Sequence, residues 1–218
     1  AAQGFDLALV SRSEKNCAHA IEAVEKNSGN ARFFSADVTQ PQTVESAVAD
    51  IYQEMGEIRL LIYNVRGRFD SCMPLDMTYE ALERIYQEEV VGAFAAAKAV
   101  LPNMIEKGQG SIFFSSATAA LRGSARFSLY AIGKFGLRAL SQSLAKAYAV
   151  DGIHIAHFRL DCNLDVPVMK ELFGSDYDPR NFADPDDVAQ TYWLTFQQPK
   201  SAWSNEVEIR PYTEEWTY

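Results

Sequence analysis

Tyr130 and Lys134 stand four positions apart in a segment whose pattern predicts a helix, so their side chains would project from the same face. An ammonium group beside a phenol stabilises the phenolate and lowers a phenol pKa that starts at about 10. Such a phenol can donate or accept a proton near neutral pH. The pair therefore predicts general acid–base chemistry, although ten tyrosines in 218 residues also make this spacing common by chance.

A hydroxyl pair, Ser115 and Ser116, ends 14 residues before Tyr130, at the carboxyl end of a hydrophobic run that predicts a strand. Open α/β sheets place their ligand crevices at the carboxyl ends of strands. The connection through residues 121–124 would bring Ser116 beside Tyr130, so that three polar groups converge. The alternative is a surface turn rich in small polar residues.

The elements that would position these groups alternate between short β-rich runs and amphipathic helices, which is typical of a parallel sheet covered on both faces. The pattern predicts strands at 6–10, 31–36, 58–63, 111–115, 153–158 and 206–210. It predicts helices from about residues 13 and 41, and at 78–107 (kinked at Pro102), 127–150 and 184–198. We expect one domain over residues 1–218: a doubly wound, Rossmann-like α/β/α fold with a substrate-side excursion and helix at 163–198.

The amino-acid composition excludes several classes of binding partner. Against 20 Lys and Arg stand 29 Asp and Glu, a net charge of −9, which argues against nucleic acid or a membrane surface and favours a small molecule. The longest apolar run, 90–97, is too short to cross a bilayer. Three scattered cysteines and three histidines predict no metal site, and they fit a reducing, cytoplasmic location.

The combination of Ser116, Tyr130 and Lys134, the run Ala-Asp-Val-Thr at 36–39 and the order of elements resembles the short-chain dehydrogenase/reductase family. The resemblance covers almost the whole chain. It implies hydride transfer between a nicotinamide cofactor and a carbonyl or alcohol. It also implies that Tyr130 donates or accepts the proton, Ser116 binds the reacting oxygen, and Lys134 holds the nicotinamide ribose while lowering the Tyr130 pKa.

Cofactor preference is predicted from the segment after the first strand. NAD-using relatives usually carry an acidic residue there, whereas this chain has Ser11 and Arg12, a hydroxyl and a guanidinium that suit a 2′-phosphate and favour NADP. A solvated loop charge is the alternative for Arg12. By the same resemblance Asp37 and Val38 would contact the adenine, although Asp37 is equally explained as a turn residue.

Four departures from the family pattern favour an alternative, a catalytically impaired nucleotide-binding or scaffolding relative. Asn64-Val65-Arg66-Gly67 replaces the usual Asn-Asn-Ala-Gly, so Asn64 matches a cofactor contact while Arg66 is a bulky cation. Glu89 occupies the position of a proton-relay Asn and would either pair with Lys134 or lie on a helix surface. The usual Ser-to-Tyr spacing would select Ala117 instead of Ser116, and Asp165 replaces a Thr that binds the nicotinamide amide.

The family's first strand and Gly-rich phosphate turn have no counterpart in the sequence. Read from Ala1, the chain would leave its sheet divided between 6–10 and 58–63. We expect about 20 to 30 upstream residues that carry a strand and a Gly-x-x-x-Gly-x-Gly turn.

The resemblance also implies a homodimer or homotetramer, formed by two long helices pairing across a two-fold axis. The faces expected at that interface carry Val90, Phe94, Ala97 and Leu101 on the first helix and Leu137, Leu140 and Leu144 on the second. The loop 69–77 and the excursion 163–183 would line the substrate pocket.

The remaining polar and aromatic residues have structural interpretations. His154 and His157 lie in a predicted strand and are expected to be structural. Cys162 is expected to fill space, with a reactive thiol as the alternative. Tyr192, Trp193 and Phe196 have near-helical spacing and predict core or subunit interface.

Overall fold

Parallel strands form the centre of the protein in a computed structural model that describes residues 3–214. The strands are β1 Leu7–Ser11, β2 Ala31–Ser35, β3 Leu60–Tyr63, β4 Gly110–Ala117, β5 Ile153–Leu160, β6 Asn163–Leu164, β7 Phe182–Ala183 and β8 Glu206–Ile209. β3, β4, β5 and β8 pair in that order, while β1 pairs only with β2 and β6 with β7. Every one of these pairs is parallel. β1 and β3 are therefore in separate sheets, as the sequence predicts when it is read from Ala1.

The helices are α1 Ala18–Lys26, α2 Pro41–Met55, α3 Tyr79–Tyr86, α4 Gly92–Lys107, α5 Ser128–Tyr148, α6 Pro167–Phe173 and α7 Pro185–Phe196. Pro41 begins α2 and Pro185 begins α7, where a missing N–H costs nothing. The Asp184 carboxylate caps α7 by accepting a hydrogen bond from the Asp186 amide. Among residues 3–214, no helix is both long enough and apolar enough to cross a membrane.

Helices cover both faces of the strands. On one face, buried side chains of α2, α4 and α5 pack against β2, β3, β4 and β5 in the larger core. On the other face, Tyr192 and Phe196 of α7 pack against Phe113, Ala156 and Phe158. The chain thus has the predicted doubly wound α/β architecture, and Tyr192 and Phe196 belong to its core.

The predicted helix 78–107 is divided by a π turn, Gln87–Val91, which separates α3 from α4. The Tyr63 hydroxyl donates a hydrogen bond of 2.5 Å to the Glu88 carbonyl within this turn, and such an insertion disturbs the regular helical ladder. α4 itself runs without a break through Pro102. The kink predicted at Pro102 stays a prediction, and the π turn is a further irregularity that the sequence did not indicate.

The predicted intersubunit faces of the two long helices are largely occupied by the chain itself. Ala97 and Leu101 of α4, and Leu137 and Leu144 of α5, are buried in the larger core. Phe94, which belongs to the predicted faces, is exposed on α4, as are Ile132 and Phe135 on α5. Four of the seven predicted residues are therefore wrong for an interface, because the chain's own core covers them, whereas Phe94 stays on the outer surface.

Candidate active site

Tyr130 and Lys134 lie in the first two turns of α5 and share its inner face, as their spacing predicts. Both are buried, and Lys134 retains only 2% of its exposure. The Lys134 Nζ atom lies 5.5 Å from the centroid of the Tyr130 ring. The ammonium and the phenol therefore meet inside the protein, behind the carboxyl end of β4.

A buried carboxylate joins this pair. The Lys134 ammonium donates a 2.8 Å hydrogen bond to Glu89 Oε2, and the Glu89 side chain is fully buried. Longer contacts of 3.4 Å connect Lys134 Nζ with the carbonyl oxygens of Val65 and Ser115. Of the two positions left open for Glu89 by the sequence, the structure shows the ion pair with Lys134. A buried charge is tolerated because its partner is buried with it.

Three local features bring Glu89 to this position. It lies in the π turn, a distortion of helices that is frequent at functional sites. At Gly133 on α5, a Cβ atom would approach Glu89 Cγ to 2.8 Å, so glycine permits the two segments to pack this closely. The Gly67 amide then donates a 2.7 Å hydrogen bond to Glu89 Oε1. The carboxylate is consequently held from two sides.

Burial and neighbouring charges set the pKa values of the site. Burial, and after it the negative charge of Glu89, raise the pKa of Tyr130 to about 12, while the positive charge of Arg66 opposes them. Burial lowers the pKa of Lys134, although Glu89 opposes that shift. In this arrangement Glu89 neutralises the Lys134 ammonium and the phenol is buried, so the lowering of the Tyr130 pKa by Lys134 stays a prediction.

The two serines at the end of β4 face opposite sides of the sheet. Ser115 Oγ lies 2.9 Å from the Tyr192 hydroxyl, on the side covered by α7. Ser116 alternates to the side of Phe114, which packs in the core formed with α5. Ser116 is buried and its Oγ has no hydrogen-bond partner in the structure. An unpaired buried hydroxyl is costly, so this atom fits a site that a ligand oxygen completes.

Phe69 packs against the Tyr130 ring. Its ring meets Tyr130 edge-on at 4.9 Å and stacks on Phe127, the residue before α5, at 4.5 Å. The guanidinium of Arg66 lies 5.9 Å from the centroid of the Phe69 ring. The loop after β3 thus places an aromatic wall and a cation beside the tyrosine.

A basic cleft of about 450 Å³ extends from this loop, and its lining includes the four arginines Arg12, Arg66, Arg68 and Arg84. Arg84 pairs with Glu88 at 2.9 Å, and Arg68 pairs with Asp70 at 3.0 Å. Within residues 3–214, Arg12 and Arg66 form no ion pair. A cleft with uncompensated positive charge stands out in a protein whose net charge is −9.

The residues predicted to bind the adenosine end lie around β1 and β2. Ser11 Oγ accepts a hydrogen bond of 3.1 Å from Asn16, and Arg12 is exposed at the end of β1. Asp37 Oδ1 accepts hydrogen bonds from the Thr39 amide and hydroxyl, so it serves the turn after β2. These bonds, together with the charges of Arg12 and Arg84, lower the Asp37 pKa. Asp37 therefore stabilises the turn after β2, as one of its two interpretations predicts, and contact with an adenine stays a prediction.

Val38 and Asn64 flank the same end of the sheet. Val38 approaches α4 so closely that a Cβ atom at Gly92 would lie 2.7 Å from its carbonyl oxygen. Asn64 is exposed directly after β3. Both are at the carboxyl ends of parallel strands, where an open α/β sheet binds its ligands.

Asp165 is directed toward its own excursion. Asp165 Oδ1 accepts a 2.6 Å hydrogen bond from the Tyr177 hydroxyl and pairs with Lys170 at 3.0 Å. These hydrogen bonds lower its pKa. Asp165 therefore stabilises the segment between β6 and β7.

The remaining polar residues have structural surroundings. His154 is within 2.9 Å of the Ser204 carbonyl, and His157 Nδ1 is within 2.9 Å of Glu206 Oε2. Burial raises the pKa of Cys162 to about 11, so this thiol is a poor nucleophile near neutral pH. Among residues 3–214, no group of His, Cys, Asp and Glu is arranged to hold a metal ion.

Sequence reasoning missed several residues of the site. Gly133, Arg84 and Glu88 were not singled out, and Phe69 was expected only as part of a loop. A usable signal was the tandem Glu88-Glu89 before a long apolar helix, since two adjacent acids beside an apolar face are costly unless they have partners.

Known proteins match both the sequence and this fold. A family model described as short chain dehydrogenase matches residues 1–162. An uncharacterised oxidoreductase from Staphylococcus saprophyticus is 26% identical over 210 residues, covering 96% of this chain and 88% of the relative.

Two solved structures superpose closely. A short-chain dehydrogenase from Rhodopseudomonas palustris is 31% identical, with a TM-score of 0.82 over 97% of this chain and 89% of its own. The L-sorbose reductase from Gluconobacter frateurii, solved with NADPH and L-sorbose, has a TM-score of 0.82 at 19% identity, over 94% of this chain and 85% of its own. At 19% identity, the similarity to the reductase shows a shared fold only.

Proposed function

The chain belongs to the short-chain dehydrogenase family, and on that premise we propose that it is an NADP-dependent oxidoreductase acting on a carbonyl or alcohol substrate. The observation that carries the proposal is the arrangement at the end of β4. There, Tyr130 and Lys134 share one buried face of α5, next to a strand that ends in the unpartnered Ser116 hydroxyl. When bound, the nicotinamide supplies or accepts the hydride.

The residues of this chain manage the proton and the reacting oxygen. Tyr130, with a pKa of about 12, keeps its phenolic proton at neutral pH and can donate it to a carbonyl oxygen during reduction. Ser116 Oγ would donate a hydrogen bond to that same oxygen. Lys134 would exchange its two 3.4 Å carbonyl contacts for the ribose hydroxyls of the cofactor while it keeps its ion pair with Glu89.

The basic cleft supports NADP as the cofactor. Arg12 lies at the end of β1 with no acidic partner among residues 3–214, and a guanidinium is suited to bidentate binding of a phosphate. Ser11, Asp37, Val38 and Asn64 would complete the contacts to the adenosine half. The family relationship and the NADPH bound to the Gluconobacter reductase support the same assignment.

Replacing Tyr130 by Phe tests this function, because the change removes only the hydroxyl and keeps the ring that packs on Phe69. We expect turnover of carbonyl compounds by the full-length protein with NADPH to fall by about 10² or more, with the fold and NADPH affinity retained. Tyr79→Phe, at a tyrosine that is 84% exposed, is the matched control. Full activity of Tyr130→Phe on a good substrate would refute the assignment.

One observation favours the second candidate, a catalytically impaired nucleotide-binding relative. The Glu89–Lys134 ion pair removes the charge that would acidify Tyr130. Under this alternative the protein binds NADPH but reduces no member of a broad panel of aldehydes and ketones, and oxidises no alcohol with NADP. Measurable turnover that depends on Tyr130 excludes the alternative.

We also propose a homodimer or homotetramer, formed by an apolar surface that shares Phe94 with the helix faces predicted from the sequence and adds residues of α5. Phe94, Ile132 and Phe135 are 48%, 39% and 44% exposed on the outer side of α4 and α5. Light scattering at micromolar concentration should show an oligomer, and Phe135→Ser should weaken it, whereas Leu75→Ser, at a fully exposed leucine elsewhere, should not. A cytoplasmic location stays a prediction; the free state of Cys17, Cys72 and Cys162 is compatible with it.

A further inference from the structure

Arg66 lines the basic cleft beside Phe69, the residue whose ring contacts Tyr130. Its guanidinium lies over the ring of Phe69, and the same ring meets Tyr130 edge-on at 4.9 Å. Phe127 stacks on Phe69 at 4.5 Å and so holds that ring at the start of α5. One short series of contacts therefore connects Arg66 to the tyrosine proposed to donate the proton.

The charges in the cleft are divided between its two ends. Arg12 and Arg84 act on Asp37, at the end proposed for the adenosine half of the cofactor. Arg66 instead acts on Tyr130 and Lys134, and its positive charge lowers the pKa of both groups. The cleft thus has cations that act on Asp37 and a separate cation that acts on Tyr130 and Lys134.

Arg66 also differs from its neighbours in having no acidic partner. Arg68 pairs with Asp70 and Arg84 with Glu88, while Glu89 is committed to Lys134. No carboxylate of residues 3–214 pairs with Arg66. Since the buried Glu89–Lys134 pair is neutral overall, Arg66 leaves the region around Tyr130 with a net positive charge.

We propose that Arg66 binds an anionic group, a carboxylate or a phosphate, of the substrate itself, so that this protein acts on acidic carbonyl or hydroxy compounds. A guanidinium presents a planar set of donors that matches both groups. The inference rests on the proposed oxidoreductase function and specifies its substrate class. The alternative anionic ligand for Arg66 is the pyrophosphate of the cofactor, and the experiment below distinguishes it from a substrate anion.

The test compares neutral and anionic compounds that share a carbon skeleton. Dihydroxyacetone phosphate is paired with dihydroxyacetone, and 2-oxobutanoate with butanone. Equilibrium binding to the NADPH-loaded, full-length protein is measured first, and kcat/KM second. The variants are Arg66→Gln, which removes the charge, and Arg66→Lys, which keeps it. Arg59→Gln is the control, because Arg59 is an exposed arginine at the opposite end of the sheet, before β3.

We expect at least one anionic probe to bind about tenfold or more tightly than its neutral partner, as a charge-assisted contact provides. Arg66→Gln should abolish this preference and Arg66→Lys should restore part of it, while Arg59→Gln should leave it intact. Equal binding of both members of each pair to the wild type would overturn the inference. So would an Arg66→Gln variant whose tenfold loss is in NADPH binding, with the substrate preference retained, since Arg66 would then serve the cofactor.

The outcomes also separate this inference from the function on which it rests. Turnover of neutral ketones without any preference for their anionic partners would support the oxidoreductase and refute the role of Arg66. Arg66-dependent binding of an anionic probe without turnover of any probe would support the role of Arg66 and count against the oxidoreductase. These two outcomes can be distinguished because binding is measured independently of catalysis.

Discussion

The interior of the site and its open cleft treat charge in opposite ways. Inside, Lys134 and Glu89 are 2% and 0% exposed and pair at 2.8 Å. Outside, Arg12 and Arg66 line a cleft without any acidic partner among residues 3–214. Both regions lie at the carboxyl ends of parallel strands, yet one is electrically balanced and the other is not.

The difference follows from the solvent. An ion taken out of water without a partner costs several kcal/mol, so buried charges occur in pairs. An exposed guanidinium keeps its hydration and can stay unpaired at little cost until a ligand anion arrives. Balanced charge in this protein therefore accompanies the buried pair beside Tyr130, whereas unbalanced charge is found where an anion from solvent could reach it.

The largest effect is expected from breaking the buried pair. Glu89→Ala leaves the Lys134 ammonium buried without a counter-charge and should lower the free energy of unfolding by about 3–5 kcal/mol. The control is Glu54→Ala, which removes a surface pair with Arg32 of nearly the same length, 2.9 Å, but about half exposed. That change should cost no more than about 1 kcal/mol. If denaturant unfolding showed the same loss of unfolding free energy for Glu89→Ala and Glu54→Ala, the buried pair would be no more important to stability than an exposed one.

A smaller effect is expected in the cleft. Arg12→Ala should weaken NADPH binding by about 1 to 3 kcal/mol, the contribution of a charge-assisted contact, and should affect NADH binding much less. Fluorescence titration with both cofactors measures the two losses, with Arg59→Ala as the control. Equal losses for NADPH and NADH would make Arg12 a structural residue. The free energy of unfolding of Arg12→Ala should stay close to that of the wild type, because removing this exposed cation breaks no ion pair among residues 3–214.

The pH dependence of the reaction reports the interior charges. Glu89 raises the pKa of Tyr130, so Glu89→Gln should lower that pKa and move the corresponding limb of the pH–rate profile to lower pH. Glu88→Gln is the control, because the Glu88 carboxylate is directed to Arg84. A limb that stays in place in Glu89→Gln would mean that Glu89 does not act on Tyr130.

Added salt should give the smallest effect, and it should weaken binding at the basic cleft without changing the contribution of the buried pair to stability. Raising the ionic strength from about 0.05 to 0.5 M screens the exposed arginines, so NADPH binding should weaken. The destabilisation caused by Glu89→Ala should be almost unchanged over the same range, because buried pairs are screened much less. A salt-independent NADPH affinity would show that the basic cleft contributes little to binding.

Much of the fold and part of the site were predictable from local patterns. Alternating strand and helix signals identified the parallel strands and the long helices, and the spacing of Tyr130 and Lys134 placed them correctly on one face of α5. The helix over 78–107 was predicted without its π turn, because the cause is a hydrogen bond from Tyr63, a residue 25 positions away from Glu88. Four of the seven residues predicted at the subunit interface are buried in the chain's own core for a similar reason: an apolar stripe does not show which surface covers it.

What the sequence by itself determined is the set of chemical groups and their local geometry: a phenol and an ammonium one turn apart, a serine pair ending a strand, and cations after β1 and β3. Helical and strand periodicities are local, and they place such groups without knowledge of the rest of the chain. Only the tertiary structure decided that Glu89 neutralises Lys134 from 45 residues away and that Arg66 has no such partner. Charge balance and pKa depend on burial and on contacts between distant segments, and these arise only when the helices pack against the sheet.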